Sequence, residues 1–324
     1  MMRGILVALG FAGLAGAPLV VDTYYLTLMV PFFGYAIALL GLNLLFGYTG
    51  LLSFGHALFI AIGAYVTAAL TSKFHIRSYE VILLVALASG LIVAVPVGAI
   101  CVRYQKIFFG MLTLAFGMLF HSFLFKFYSI TGGDQGMRVL RPTLFGLDLA
   151  SLDKTGFVTG PFYYYCLALL VIAAGIMWRI VNSPFGLHLR AIRDNAGKAA
   201  YLGVSIRRGR LVAFVISGGY GAIGGTMLAV QNGLADPELA YWTHSGNLVF
   251  MVVLGGFDSF LGPLVGALIF ILLQDQVMSL TQYWRFVFGA ILAAIVILAP
   301  RGLMGVGAGL FRRRAGAPVE RSRA

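Results

Sequence analysis

Inside otherwise apolar stretches the chain places a few side chains able to hydrogen-bond, take a proton or carry a charge. The densest group lies in GLNLLFGYTGLLSFGHALFIAIGAY, Gly41 to Tyr65, which carries Asn43, Tyr48, Thr49, Ser53, His56 and Tyr65. Polar groups in membrane helices are expensive unless partnered, so they line a polar passage or bond across neighbouring helices. On that ground Asn43, Tyr48, Ser53, His56 and Tyr65 are candidates for a translocation lining, with helix-packing glue the alternative for each one singly. His56 has no second ligand at i+3 or i+4, so a metal site does not follow from it. Asp258 stands in the glycine-rich break LGGFDSFLGP, Leu254 to Pro263, and joins the path candidates, because broken helices often border transport sites. His121 and Asp275 fall near the ends of their apolar segments, and the central parts of the clear spans hold almost no acid or histidine. That scarcity argues against coupling to protons or ions.

The second concentration of chemistry is basic. SPFGLHLRAIRDNAGKAAYLGVSIRRGR, Ser183 to Arg210, follows a helix broken at Pro184 and reads as two short amphipathic pieces. In the first, Leu187, Ala191 and Ile192 fall near one face, with Arg190, Arg193 and Asp194 mostly elsewhere. The second runs from Gly197 to Leu202, where Gly203 can cap it. A short amphipathic helix beside a bilayer wants a groove on a partner. No HExxH, GxSxG or carboxylate cluster suggests an enzyme, and no GxxxxGK[ST] loop supplies a nucleotide site. Cys101 and Cys166 lie in apolar stretches outside any CxxC or Cys/His pattern.

The elements that must position these groups follow from composition. Of 324 residues 60% are hydrophobic and only 10% charged, too few to coat a soluble globule. A soluble enzyme, a disordered chain and a coiled coil are excluded. The expected fold is all-α: a polytopic transmembrane bundle of about 8–10 spans with a short amphipathic helix on the cytoplasmic side and a re-entrant or broken-helix hairpin. Fifty residues between Asp22 and Lys73 lack formal charge, enough for two spans broken at GYTG, Gly47 to Gly50. Further spans read as Val81–Val102, Ile107–Phe125, Pro161–Val181, Leu211–Gln231 and Phe286–Pro300. An opening segment, Gly4–Val21, resembles a signal peptide up to AGA, but Pro18 disfavours cleavage and a retained helix is expected.

The net charge of +12, from 23 Lys and Arg against 11 Asp and Glu, sets the topology rather than pointing to nucleic acid. With the N-terminus inside, 16 of the 23 basic residues fall on the cytoplasmic side, including the 306–324 tail, and seven fall outside. Leu248–Leu273 must then begin and end outside, as two half-helices folding back at the break or as two short helices joined by a loop. The transmembrane domain covers 1–305, with a coupling loop at 183–210 and an outer loop at 128–160.

The basic loop, the Gly41–Tyr65 stretch, outer TGGDQGM (Thr131 to Met137), VVLGGFDSFLGPLVGA and PRGLMG together resemble the permease subunits of branched-chain amino acid ABC importers. The likeness runs from about residue 25 to 305 and is greatest to the LivM type, whose pattern has FGHA, TGG-x-x-G and RAIR-[DE]-N in this order. His56 separates the chain from the LivH type. The resemblance implies an inner-membrane permease with its C-terminus cytoplasmic, partnered by a LivH-like permease, two ATPase subunits and a periplasmic binding protein. ATP would be used by the partners, with no cofactor bound by this chain. It also implies that Gly186, Arg190, Ala191, Arg193, Asp194, Asn195 and Gly203 meet the ATPase, and that Gly132, Gly133 and Asp134 face the binding protein. Urea and short-chain amide importers use closely related permeases, so those solutes are the alternative. An ATP-independent carrier or channel is a more distant one.

Overall fold

The computed structural model describes residues 10, 13–18, 20–147, 152–299 and 302–305. Residues 13–18 are helical; the rest of the expected opening helix and the 306–324 tail lie largely or wholly outside the described residues. Two compact units are present, Met1–Val249 and Phe250–Ala324.

The larger unit is built on one central helix. Its long elements are α1 (Thr23–Asn43), α2 (Ala57–Ala68), α3 (Tyr79–Cys101), α4 (Ile107–Lys126), α5 (Pro161–Val181), α6 (Pro184–Tyr201) and α7 (Ile206–Asn232). α1, α2 and α3 all pack along α7, and α5 closes against α1. The most apolar window of α1 is 78% buried and that of α7 72%, against 33% for α3 and 28% for α4. The apolar outer faces of α3 and α4 therefore lie at the perimeter of this unit.

Without a hydrophobic force between helices in lipid, close backbone approach drives this packing. A Cβ on Gly225 of α7 would lie 2.0 Å from the Ile60 carbonyl oxygen of α2, and one on Gly63 would lie 1.9 Å from that of Ala222. Gly221 faces the same helix at Phe59, so the Gly221/Gly225 spacing is a packing face for α2. Buried aromatics fill the remaining space edge-on, with Phe59 and Phe109 set 5.5 and 6.0 Å from Phe214. Tyr79 and Thr226 share a buried hydroxyl pair at 3.0 Å.

At the end of α1 the helix loosens into a π-helical turn, Leu44–Thr49, and stops at Gly50 with φ +73°. Residues 50–56 are then non-helical until α2 begins, as the GYTG break predicts. The 128–160 loop is pinned by a two-residue ladder of β1 (Met137–Arg138) and β2 (Leu234–Ala235), antiparallel with Met137 opposite Ala235.

α8 (Trp242–Gly255) ends at the expected glycine break, residues 256–261. In the smaller unit α9 (Gly262–Leu280) and α10 (Trp284–Leu298) follow. A Cβ at Gly266 would meet the Met251 carbonyl at 1.9 Å, and one at Gly255 the Gly262 carbonyl at 1.8 Å, so α9 folds straight back on the end of α8. Gly302 of the PRGLMG motif rests on Gly256 of the same break. α9, with 19 residues, is of spanning length; the break therefore separates two helices of unequal length rather than two half-helices. Phe270 and Phe288 join α9 to α10 at 4.9 Å.

Among the described residues seven helices are long and apolar enough to cross a membrane, with Ala57–Lys73 a shorter eighth. The protein is a multi-pass membrane protein.

Candidate coupling and translocation sites

Among the described residues α6 is the one long helix whose apolar residues form a narrow stripe beside many charges. Ser183 caps it, its hydroxyl accepting from Gly186 N at 3.4 Å, and Pro184 occupies the first turn, where no N–H is needed. The helix is really two: Asn195 has φ −159° and ψ 98°, and its side chain accepts from Lys198 N at 2.9 Å, capping the second piece. Gly203, at φ +82°, ends that piece, with Val204 N returning to the Ala199 carbonyl.

The buried stripe is Gly186, Leu189 and Ile192; of the face that the spacing suggests, Ile192 is buried and Ala191 half-buried, while Leu187 is not part of it. Leu189 and Ile192 cover Gly209 at the start of α7, while Leu187 is 61% exposed. The phase differs because the helix is seated on two neighbours, α7 and the π turn of α1. Gly186 is pressed on Val181, where a Cβ would lie 2.3 Å from the carbonyl oxygen. Arg190 is half-buried and donates to that same Val181 carbonyl at 3.4 Å. Arg193 pairs with Asp194 at 3.3 Å and donates through Nη1 to the Gly47 carbonyl of the π turn. So Gly186, Arg190 and Arg193 make contacts within the chain, while Asp194, Asn195 and Gly203 are exposed and Ala191 is half-exposed. Tyr201 and Leu202, 94% and 83% exposed, were missed in the sequence. The signal was available: large apolar residues in a polar loop with no room to bury them. Beside them a cavity of about 390 Å³ opens between Phe185, His188, Leu202, Arg208 and Val212.

The path candidates divide. Asn43, Ser53 and His56 are fully or almost fully buried around the break, and Tyr48 is half-buried beside Arg190 and Arg193. His56 packs on Phe59 and against Gly221 of α7 with the Ala38 backbone beside its ring, and among the described residues the Ser53 hydroxyl finds no hydrogen-bond partner. Tyr65 is brought to a different place, the buried cluster of Leu124, Met137 and Ala235 under the β ladder. Asp258 is exposed in the turn of the smaller unit. Two residues come from far along the chain: Ser245 Oγ accepts the first N–H of α2, from Ala57, at 3.0 Å, and the His244 ring lies tilted against Tyr35 of α1 at 5.7 Å. A separation of 188 residues hid the serine from any local pattern.

In the 128–160 loop, Gly132, Gly133 and Gly136 have φ of +78°, +58° and +68°, which makes TGGDQGM a turn that only glycine adopts freely. Asp134 is exposed at its tip.

Residues 24–296 match the family described as branched-chain amino acid transport system / permease component. The chain belongs to that family. Its relatives include the high-affinity branched-chain amino acid transport permease LivM of Escherichia coli K12, 29% identical over 83% of this chain and 67% of the relative. LivH of Salmonella typhimurium is 24% identical over 84% of this chain and 91% of its own length. The autoinducer 2 import permease LsrC of Klebsiella pneumoniae is 31% identical over 47% of this chain and 46% of its own. No solved structure matches.

Proposed function

We propose that this chain is the LivM-type permease subunit of an ATP-driven importer that carries branched-chain amino acids across the bacterial inner membrane. Separate subunits hydrolyse ATP, a LivH-like permease completes the channel, and a binding protein delivers solute from outside. This chain binds no nucleotide itself. The observation that carries the reading is α6, a capped two-piece amphipathic helix between two spanning helices that leaves Leu187, Tyr201 and Leu202 bare. Exposed apolar anchors beside charged residues suit a groove on a cytoplasmic partner. Asp194, Asn195, Ala191 and Gly203 border those anchors and would share the contact. Asp134 is an exposed side chain of the outer turn, beside exposed Gln135, and would be offered to the binding protein.

Proteoliposomes holding both permeases and the ATPase subunits test the reading, with each candidate binding protein supplied outside. Leucine uptake that needs ATP supports it. Uptake of urea or short amides instead would move the solute class, and uptake without ATP would replace the importer by a carrier. Leu187→Asp with Tyr201→Asp should strip the ATPase subunits from the purified complex, because a buried charge replaces an apolar anchor.

A further inference from the structure

The contacts of Arg193 assign it a part that docking on a partner does not explain. The π turn closes with Gly50 N on the Phe46 carbonyl at 3.2 Å and Leu51 N on the Leu45 carbonyl at 2.9 Å. Gly47, next in line, gives its carbonyl to the Arg193 guanidinium instead. A helix end carries partial negative charge on its last carbonyls, so a cation bound there is favoured twice, by charge and by hydrogen bond. Gly50 is shaped to the same contact: at φ +73° it lacks the Cβ that would lie 3.0 Å from Arg193 Cγ. From Gly50 the chain runs as a non-helical strap to Ser53 and His56, both buried, and is held at its far end by Ser245 on the Ala57 N–H.

We infer that Arg193 is a positioning residue that ties α6 to the Gly50–His56 strap, so that displacement of α6 by a partner moves the break in the transport helices. The inference rests on the importer reading above. Its guanidinium acts on the chain's own backbone, while the exposed Leu187, Tyr201 and Leu202 meet the partner.

The two roles separate in the reconstituted complex, read as ATPase recovery, ATP turnover and solute moved per ATP. Arg193→Met removes the donors but keeps the stem. The ATPase subunits should copurify in full and hydrolyse ATP, while solute per ATP falls about tenfold, the usual effect of losing one charged hydrogen bond. Arg193→Lys keeps one charged donor and should restore most of the ratio. Gly50→Ala, which disturbs the other side of the contact, should reproduce the Arg193→Met loss with a native α6. An unchanged ratio in Arg193→Met overturns the inference, and so does loss of the ATPase subunits, which would make Arg193 a docking residue. Failure of the wild-type complex to couple uptake to ATP would strike the importer reading instead.

Discussion

Ser245 holds the first amide of a helix that begins 188 residues earlier, with its own side chain only 1% exposed. An N-cap lost to alanine costs about 0.5–2 kcal/mol. Ser245→Ala should therefore lower the melting temperature of the detergent-purified protein, and Ser245→Thr should keep most of it; an unshifted Ser245→Ala would remove the cap from the account. The same residue shows where reading a sequence stops. Ser53 and His56 stand out as polar groups in an apolar run, but Gly221 of α7, which meets His56, and Ser245 of α8, which meets the adjacent Ala57, leave no local trace. The guanidinium of Arg193 is visible as a charge in the loop, yet its direction depends on the helical phase. That phase is set by Leu189 and Ile192 settling on Gly209, so Leu187, an equally apolar residue, is turned outward.

At the level of elements, glycine decides which helices touch. Gly225 and Gly63 bring α7 and α2 to carbonyl contact, and neither helix can accept a side chain without moving. Overpacking such a contact costs about 1–3 kcal/mol. Gly225→Val should lower both thermal stability and the yield of intact protein, whereas Gly175→Val on α5, where a Cβ meets nothing within 4 Å, should leave both unchanged. Equal effects from the two would mean that helix propensity, not packing, governs these sites. Element boundaries were legible where apolarity and structure end together: Pro161–Val181 is reproduced at both ends. They were less so at α7, which begins at Ile206 rather than Leu211. The helix continues through Arg207 and Arg208, whose long side chains reach polar surroundings while the backbone stays hydrogen-bonded, and hydropathy cannot see that continuation. The TGG turn was legible as a turn; its ladder to Leu234–Ala235 was not, because two paired residues carry no periodicity.

For the whole molecule the charge excess predicts sidedness, and helix count makes the prediction strict. Between Asp134 and Tyr201 the described chain contains one helical segment of spanning length, Lys154–Val181. A single crossing puts the two residues on opposite faces whatever the absolute orientation. The 16-to-7 split of basic residues read from the sequence then predicts that Tyr201 lies on the cytoplasmic side. Both native cysteines are buried, so replacing them leaves a background on which Asp134→Cys and Tyr201→Cys can each be probed alone at exposed positions. In intact cells with an opened outer membrane, a maleimide that cannot cross the inner membrane should label Cys at 134 and spare Cys at 201 until the inner membrane is permeabilised. Labelling of both from one side would break the single crossing, and with it the placement of α6 opposite the outer turn. Labelling of 201 alone would keep the crossing but reverse the molecule, setting its basic loop outside where no ATPase could reach the exposed apolar anchors.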